Sequence, residues 1–265
     1  MKIRMTILLF ISLLFSCEER YATEFDLANS GLLSVEAVLT NENINQKIKL
    51  SIPYQQLNGS SAPATGATVR VQEGNGAIYT FIEDVNNPGA YYGPTFQAVS
   101  GTVYTLQIIY KGQEYRAQDS AVPVTPLTPL QYQKVNELFE LILNDSGQDP
   151  YYIDHRVTWK NTGACAPGIS CEGRIVFYDL KSIDVNEIYK PAKEQFLFPA
   201  GAIVIRNKYS VSPAYRTFLR SVLSETEWRG GVFDVDRANA TTNLSKGAIG
   251  FFAVTTVVSD VTVVN

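Results

Sequence analysis

"VYTLQIIYKGQEY" (103–115) decides the fold class of this chain. Tyr104, Leu106, Ile108 and Tyr110 take every second position, with Thr105 and Gln107 among the residues between them. A period of two marks a strand with one buried face. Lys111-Gly112 then supplies turn chemistry. The pattern recurs upstream in "KIKLSIPY" (47–54), where Ile48, Leu50, Ile52 and Tyr54 share one side while Lys47, Lys49 and Ser51 take the other. Val69 and Val71 alternate with Thr68, Arg70 and Gln72, and Gly74-Asn75-Gly76 and Asn87-Pro88-Gly89 punctuate the runs. Six or seven short strands between Gly31 and Val122 predict a small antiparallel β-sandwich over residues 31–122.

Composition agrees with a folded, β-leaning chain. Of 265 residues, 45% are hydrophobic, with 15 tyrosines and 13 phenylalanines. The net charge is −4, from 22 basic against 26 acidic residues, and no basic run stands out. That balance argues against nucleic acid and against anionic lipid as partners.

The second half mixes strand and helix. "VPVTPLTP" (122–129) places Pro123, Pro126 and Pro129 three apart, which favours an extended stretch and defeats a sheet interior. Residues 123–130 are therefore expected as a linker, and 131–265 as a β-rich α+β domain. Ser212 is a helix cap, Pro213 suits the first turn, and Gly230-Gly231 offers an end. Between them Tyr215, Phe218, Leu219, Val222 and Leu223 form one apolar stripe, expected to pack on a sheet. "HRVTWK" (155–160), "GRIVFYDL" (173–180), "GAIVIRNKY" (201–209) and "GFFAVTTVV" (250–258) read as strands. Leu130–Leu143 fits either a helix or a strand pair.

The N-terminus carries an address. Lys2 and Arg4 precede an apolar run from Met5 to Ser16, which as a helix would span roughly 18 Å, short of a ~30 Å hydrocarbon core. This is the layout of an export signal, residues 1–16. Leu14-Phe15-Ser16-Cys17 resembles the bacterial lipobox, which implies acylation of Cys17 and an anchored chain with a tether at 17–30. Glu18 and Glu19 resemble the acidic signal that sends Bacteroidetes lipoproteins to the outer face of the outer membrane.

Two further resemblances follow from longer stretches. "ATGATVRVQEGNGAIYTFIED", "GAYY" and "GTVYTLQIIYKGQEY" resemble the immunoglobulin-like or transthyretin-like modules of Bacteroidetes surface proteins. The stretch from Ser212 to Val257, "SPAYRTFLRSVLSETEWRGGVFDVDRANATTNLSKGAIGFFAVTTV", resembles the closing segment of a large Bacteroidetes outer-membrane lipoprotein family built on a domain of unknown function. Asn243, Gly247, Gly250, Phe251 and Phe252 carry that match, while Val235-Asp236 replaces the usual proline-rich dipeptide. The resemblance implies an accessory lipoprotein beside a TonB-dependent outer-membrane β-barrel of the starch-uptake type. A subunit of the barrel-assembly machinery and a surface glycan-binding or adhesive protein are the alternatives.

Candidate site residues are few. Cys165 and Cys171 enclose "APGIS", where Pro167-Gly168 suits a turn that would join them as a disulfide. A metal site would need more ligands, and His155, the single histidine, shares a strand face with Val157 and Trp159. That position reads as core or rim in preference to a catalytic triad. Asp145/Asp149 and Asp234/Asp236 lack calcium-loop spacing and read as solvated turns. No cofactor, metal or catalytic residue is expected. Tyr92, Tyr152 and Trp228 are the candidates for stacking on sugar rings. Asp119-Ser120-Ala121 resembles a Bacteroidetes O-glycosylation acceptor centred on Ser120.

Overall fold

The computed structural model describes residues 31–54, 59–160, 165, 171–181, 195–228 and 240–265. The expected signal, tether and Cys17, the turn at Pro167-Gly168, and Gly230-Gly231 and Asp234/Asp236 lie outside the described residues. In chain order the strands are β1 (Leu33–Thr40), β2 (Ile44–Ile52), β3 (Ala62–Pro63), β4 (Thr68–Glu73), β5 (Ile78–Glu83), β6 (Ala90–Phe96), β7 (Val103–Tyr110) and β8 (Gln113–Ser120). There follow β9 (Tyr132–Val135), β10 (Leu138–Leu141), β11 (Tyr151–Trp159), β12 (Cys171–Asp179), β13 (Ile203–Ser210), helix α1 (Pro213–Glu225), β14 (Ala248–Thr255) and β15 (Val257–Val263). The protein is mainly β with minor α.

The period-two runs form the strands they predict. In β7, Tyr104, Leu106 and Ile108 are fully buried, and in β2 Ile48 and Leu50 are. Lys111 and Gly112 both take positive φ, 48° and 79°, the mirror-image turn that matches strand twist in a two-residue hairpin. The first sheet runs β14-β1-β2-β6-β5-β4-β7-β8, with β3 attached to β2. The first eight strands thus exceed the six or seven expected by sequence, the short β3 among them. This sheet curls around one core that draws on Leu39, Leu50, Val71, Tyr91, Leu106 and Phe252.

The last member of that sheet comes from the far end of the chain. Strand β14 pairs in parallel with β1, from Leu33 opposite Ala248 to Thr40 opposite Thr255. Its alternate side chains enter two cores: Phe252 and Val254 the first, Phe251 and Ala253 the second, where they meet Tyr215, Leu219 and Leu223 of α1. Gly250 makes the parallel pairing possible. Its φ is +92°, and a Cβ there would sit 2.0 Å from the Val35 carbonyl oxygen. Asn243 ties β14 to β8 across the closing edge. Its Nδ2 donates to Gln118 O at 3.0 Å and Phe252 O at 2.8 Å, and its Oδ1 accepts from Phe252 N at 3.1 Å.

"GFFAVTTVV" is accordingly not one strand. The chain leaves the first sheet at Thr255 and enters the second at Val257, where β15 pairs with β13. Thr256 between them donates through Oγ1 to Val122 O at 2.7 Å, and its N–H donates to Ser210 Oγ at 2.9 Å. The second sheet runs β12-β11-β13-β15, all antiparallel. The ambiguous segment at 130–143 is the hairpin β9–β10, turned by Asn136 at φ 56°. It packs with Val157, Ile175 and Val204 in a third core. Helix α1 starts where expected, with Ser212 Oγ accepting from Tyr215 N. It ends at Glu225, short of Gly230-Gly231, where the Trp228 N–H folds back to donate to Leu223 O, five residues earlier, at 2.8 Å.

Two substitutions test the β14 joint. Gly250→Ala must displace the β1 backbone and is expected to cost at least about 3 kcal/mol, or to block folding outright. Asn243→Ala strands the groups it bridges and is expected to cost about 1–3 kcal/mol. Urea unfolding checks both, and wild-type midpoints in either variant would contradict those roles.

Candidate interaction site

Two buried cations of the second sheet lie on its inner face. Arg206 and Lys208 are 2% and 0% exposed, and they alternate with outward-facing Ile205 and Asn207. Lys208 Nζ sits 2.6 Å from Asp145 Oδ2, 2.7 Å from Thr125 Oγ1 and 3.0 Å from Ser146 O, with the Tyr151 ring centroid 4.3 Å away. Asp145 Oδ2 is balanced by that ammonium alone, while Oδ1 accepts from Thr128 N and Oγ1. Arg206 donates to Asp260 and, at 2.7 Å, to Thr128 O. The proline-rich residues 123–130 are therefore gripped by two buried cations rather than free. Asp145 is no solvated turn, since its carboxylate is fully buried.

His155 faces the same interior at 2% exposure, and its Nδ1 has no hydrogen-bond partner. Burial, then the nearby Arg206 charge, push its pKa down to about 4. The imidazole is neutral at physiological pH, and Arg206 stands opposite it in register. Asp154, its neighbour on the strand, points to the other face. Among the described residues no group of three or more His, Cys, Asp or Glu is placed to hold a metal ion. The Cys165–Cys171 disulfide is formed, with a Cα–Cα distance of 5.8 Å, and it tethers the start of β12 beside Trp159 of β11.

The stacking candidates separate. Tyr92 is half-buried on the outer face of β6, with Lys47 Nζ 5.8 Å from its ring centroid. Tyr152 stacks on Tyr209 at 4.7 Å and lies against Tyr178 and Tyr215 in an aromatic cluster. Trp228 is 3% exposed in the second core. The sugar-stacking expectation for Tyr152 and Trp228 is thus corrected, because helix α1 and its returning turn cover that end of the sheet. Ser120 ends β8, half-buried and opposite Val103. Asp119 beside it is buried and accepts from Val254 N at 2.9 Å, clamping β8 to β14. Desolvation pushes its pKa up, against hydrogen bonds from Val254, Ser212 and Ser120.

The outer face of the second sheet forms four rows across β12, β11, β13 and β15. They are Tyr178-Tyr152-Tyr209-Val257, Val176-Asp154-Asn207-Ser259, Arg174-Arg156-Ile205-Val261 and Glu172-Thr158-Ile203-Val263. The first row is covered by α1 through Tyr215. The last two rows are the open end. Sequence reading picked out neither Arg206 and Lys208 nor these rows. The signal was present in "GAIVIRNKY", where Arg206 and Lys208 keep the parity of buried Val204.

Acid should unfold the second sheet by two routes. Burial pushes the Asp145 pKa up, but hydrogen bonds from Lys208, Thr128 and Ser146 outweigh it and hold it below the usual carboxylate range. Its contribution is present above the unfolded pKa and lost as pH falls through the folded one. His155, with its pKa depressed from 6.5 to about 4, binds its proton more readily when unfolded, so stability also falls as pH drops from 6.5 towards 4. That route is worth about 3 kcal/mol. His155→Gln is expected to flatten the pH 6.5–4 slope, and Lys208→Met to cost about 3–5 kcal/mol near neutrality by stranding Asp145. Chemical denaturation across pH 3–8 reads both.

A family model described as a domain of unknown function, DUF4249, matches residues 18–260. No curated protein matches the chain. The matched span takes in the first sheet, the second up to the middle of β15, the joint at Asn243 and Gly250, and the buried cations that grip residues 123–130. By that match the chain belongs to the DUF4249 family.

Proposed function

We propose that this protein is a non-catalytic lipoprotein of the Bacteroidetes outer membrane, held on the outer face by an acylated Cys17, and an accessory subunit of a TonB-dependent transporter in nutrient uptake. The observation that carries the reading is Cys17 itself, which closes a short apolar run behind Lys2 and Arg4 and precedes Glu18 and Glu19. The family match begins at residue 18, directly after that cysteine. No described helix is long and apolar enough to cross a membrane, which fits attachment by acyl chains, though β-strands can also span one.

The buried ionisable groups also suit a binding role. Asp145, Lys208 and Arg206 are engaged in joining segments to the second sheet, Arg206 also pairing with the partly exposed Asp260, and His155 is shut away from solvent. Ion pairing or burial leaves each of them poorly placed for turnover. Of the three aromatic residues considered for sugar stacking, Tyr92 alone stands on an outer face away from α1, which gives a glycan platform little support.

Purification from native outer membranes in mild detergent, through a C-terminal tag, tests the reading. Mass spectrometry is expected to find a TonB-dependent barrel in stoichiometric amount. Recovery of the lipidated protein alone, under conditions that preserve a known barrel complex, would overturn the accessory role. Co-purification of the barrel-assembly machinery would replace it with the assembly reading.

A further inference from the structure

The open end of the second sheet departs from the pattern of a solvated face. Antiparallel sheets with one wet face alternate apolar residues inward and polar residues outward. Here Ile203, Ile205, Val261 and Val263 point outward at four adjoining positions of β13 and β15, and Val261 and Val263 are 65% and 50% exposed. In register beside them, the third row continues through Arg156 to Arg174 and the fourth through Thr158 to Glu172. Both guanidiniums lean on Asp154 of the second row. Arg174 Nε and Nη2 donate to it at 2.7 Å and 3.1 Å, and Arg156 Nε at 3.2 Å. Exposed Glu172 stands one outward step from Arg174 on the same strand. Arg156 and Arg174 are thus balanced by Asp154 and Glu172, and no unmatched charge calls for a foreign ion. Each of the last two rows is half aliphatic and half polar, in the same strand order.

We propose that this half-face is a two-fold interface between two copies of the chain. In a face-to-face pair the axis lies between the sheets, and one patch must complement itself. An axis crossing the strands along the boundary of the third and fourth rows does this. Each residue of one row then meets its strand neighbour from the other row of the second copy. Ile205 meets Ile203, Val261 meets Val263, Arg156 meets Thr158 and Arg174 meets Glu172, every contact being made twice. Arg174 Nη1, which Asp154 does not engage, is the donor for that carboxylate. Neighbouring axes fail. On the third row the axis sets Arg174 on Arg174, and on the fourth Glu172 on Glu172. One row nearer α1, it drives the fourth row under the helix of the second copy. Along the strands between β11 and β13, it lays Arg156 on Ile205 and Arg174 on Val261; between β13 and β15, it buries the aliphatic half alone. Facing sheets pack about 10 Å apart, a gap that Ile and Val fill from both sides and that Arg and Glu reach across. Two rows on four strands cover roughly 300 Å² at sheet spacings. A stable dimer buries ~800 Å² per partner, so this pairing is reversible and follows local concentration. It stands independently of the transporter reading.

A photo-crosslinking residue in place of Val261 tests this in the full-length protein in its native cells, with exposed Ile82 on the first sheet as the control position. The expected result is a self-adduct from position 261, mapped by mass spectrometry to β15 of the second copy around Val263, and none from position 82. Glu172→Lys, which leaves the Asp154 ion pairs and the aliphatic block intact, should lower the yield at least about tenfold by setting like charges together at both ends of the interface. Arg174→Glu should do the same. Co-expression of the two variants under different tags separates pairing from misfolding. The mixed pair sets the new lysine on the new glutamate and keeps Arg174 on Glu172, so its adduct should return to near the wild-type yield. A self-adduct that E172K leaves unchanged, a mixed pair without rescue, a self-adduct mapped elsewhere, an adduct only with another protein or with lipid, or no adduct overturns the two-fold interface. Co-purification of a barrel is neither required nor excluded by it, so the transporter reading stands or falls on its own experiment.

Discussion

The parallel pairing of β14 with β1 is the constraint on which the remaining structure depends. It joins residues far apart in the chain, and closing a loop of roughly 215 residues costs about 5 kcal/mol in chain entropy. One strand offsets that cost because both of its faces are buried. Phe252 fills the first core and Phe251 the second, each worth about 1.5–3 kcal/mol on burial. Strand β14 is therefore a shared wall, and the two sheets cannot be separated without exposing it. Contacts of such sequence separation form late and slowly, so the first sheet is expected to lack an edge until the C-terminus arrives.

The family motif acquires a physical meaning from that wall. Gly250 is demanded by the Val35 carbonyl, which leaves no room for a side chain. Asn243 stands in for a missing rung between β8 and β14, using amide and carbonyl together. The paired phenylalanines serve two cores because adjacent residues on a strand point to opposite sides. Asp119 closes the same seam from β8 by accepting the Val254 N–H. Residues that looked like a signature of a surface family are, in the folded chain, the parts of a joint.

How much of this was legible follows from what each signal encodes. Alternation in β2, β4 and β7 gave their buried faces because a half-buried strand must alternate. The cap at Ser212 was legible for a similarly local reason, since its side chain meets a backbone N–H three residues away. The break at Thr256 was not legible: "GFFAVTTVV" is uniformly β-prone, and only the destination of each half divides it. The end of α1 was misread because glycine marks where a helix can stop, whereas the contacts of Trp228 decide where it does. Tyr152 was misjudged as a sugar platform because its cover, Tyr215 of α1, is distant in sequence, and Trp228 because the chain turns it back into the second core. Arg206 and Lys208 break the polar-outward rule, and their shared parity with Val204 is the one local sign of it.

Those two cations also explain why the second sheet has one finished face and one unfinished face. On the inner side, Arg206 and Lys208 reach into residues 123–130 and 145–146, so the connecting segment becomes a fixed layer above the strands. Burying a lysine and an aspartate together is rarely favourable for stability compared with a well-packed apolar pair. What the pair does give is directionality, because a carboxylate, a hydroxyl and a carbonyl around one ammonium admit a single seating of the chain. On the outer side, α1 covers the tyrosine row and stops, leaving the rows that contain Arg156 and Val261 bare. A sheet whose inner face is fixed by buried charge can expose an apolar outer corner without rearranging to hide it. The same arrangement keeps that corner pre-formed, and pre-formed surfaces carry a lower ordering cost on association.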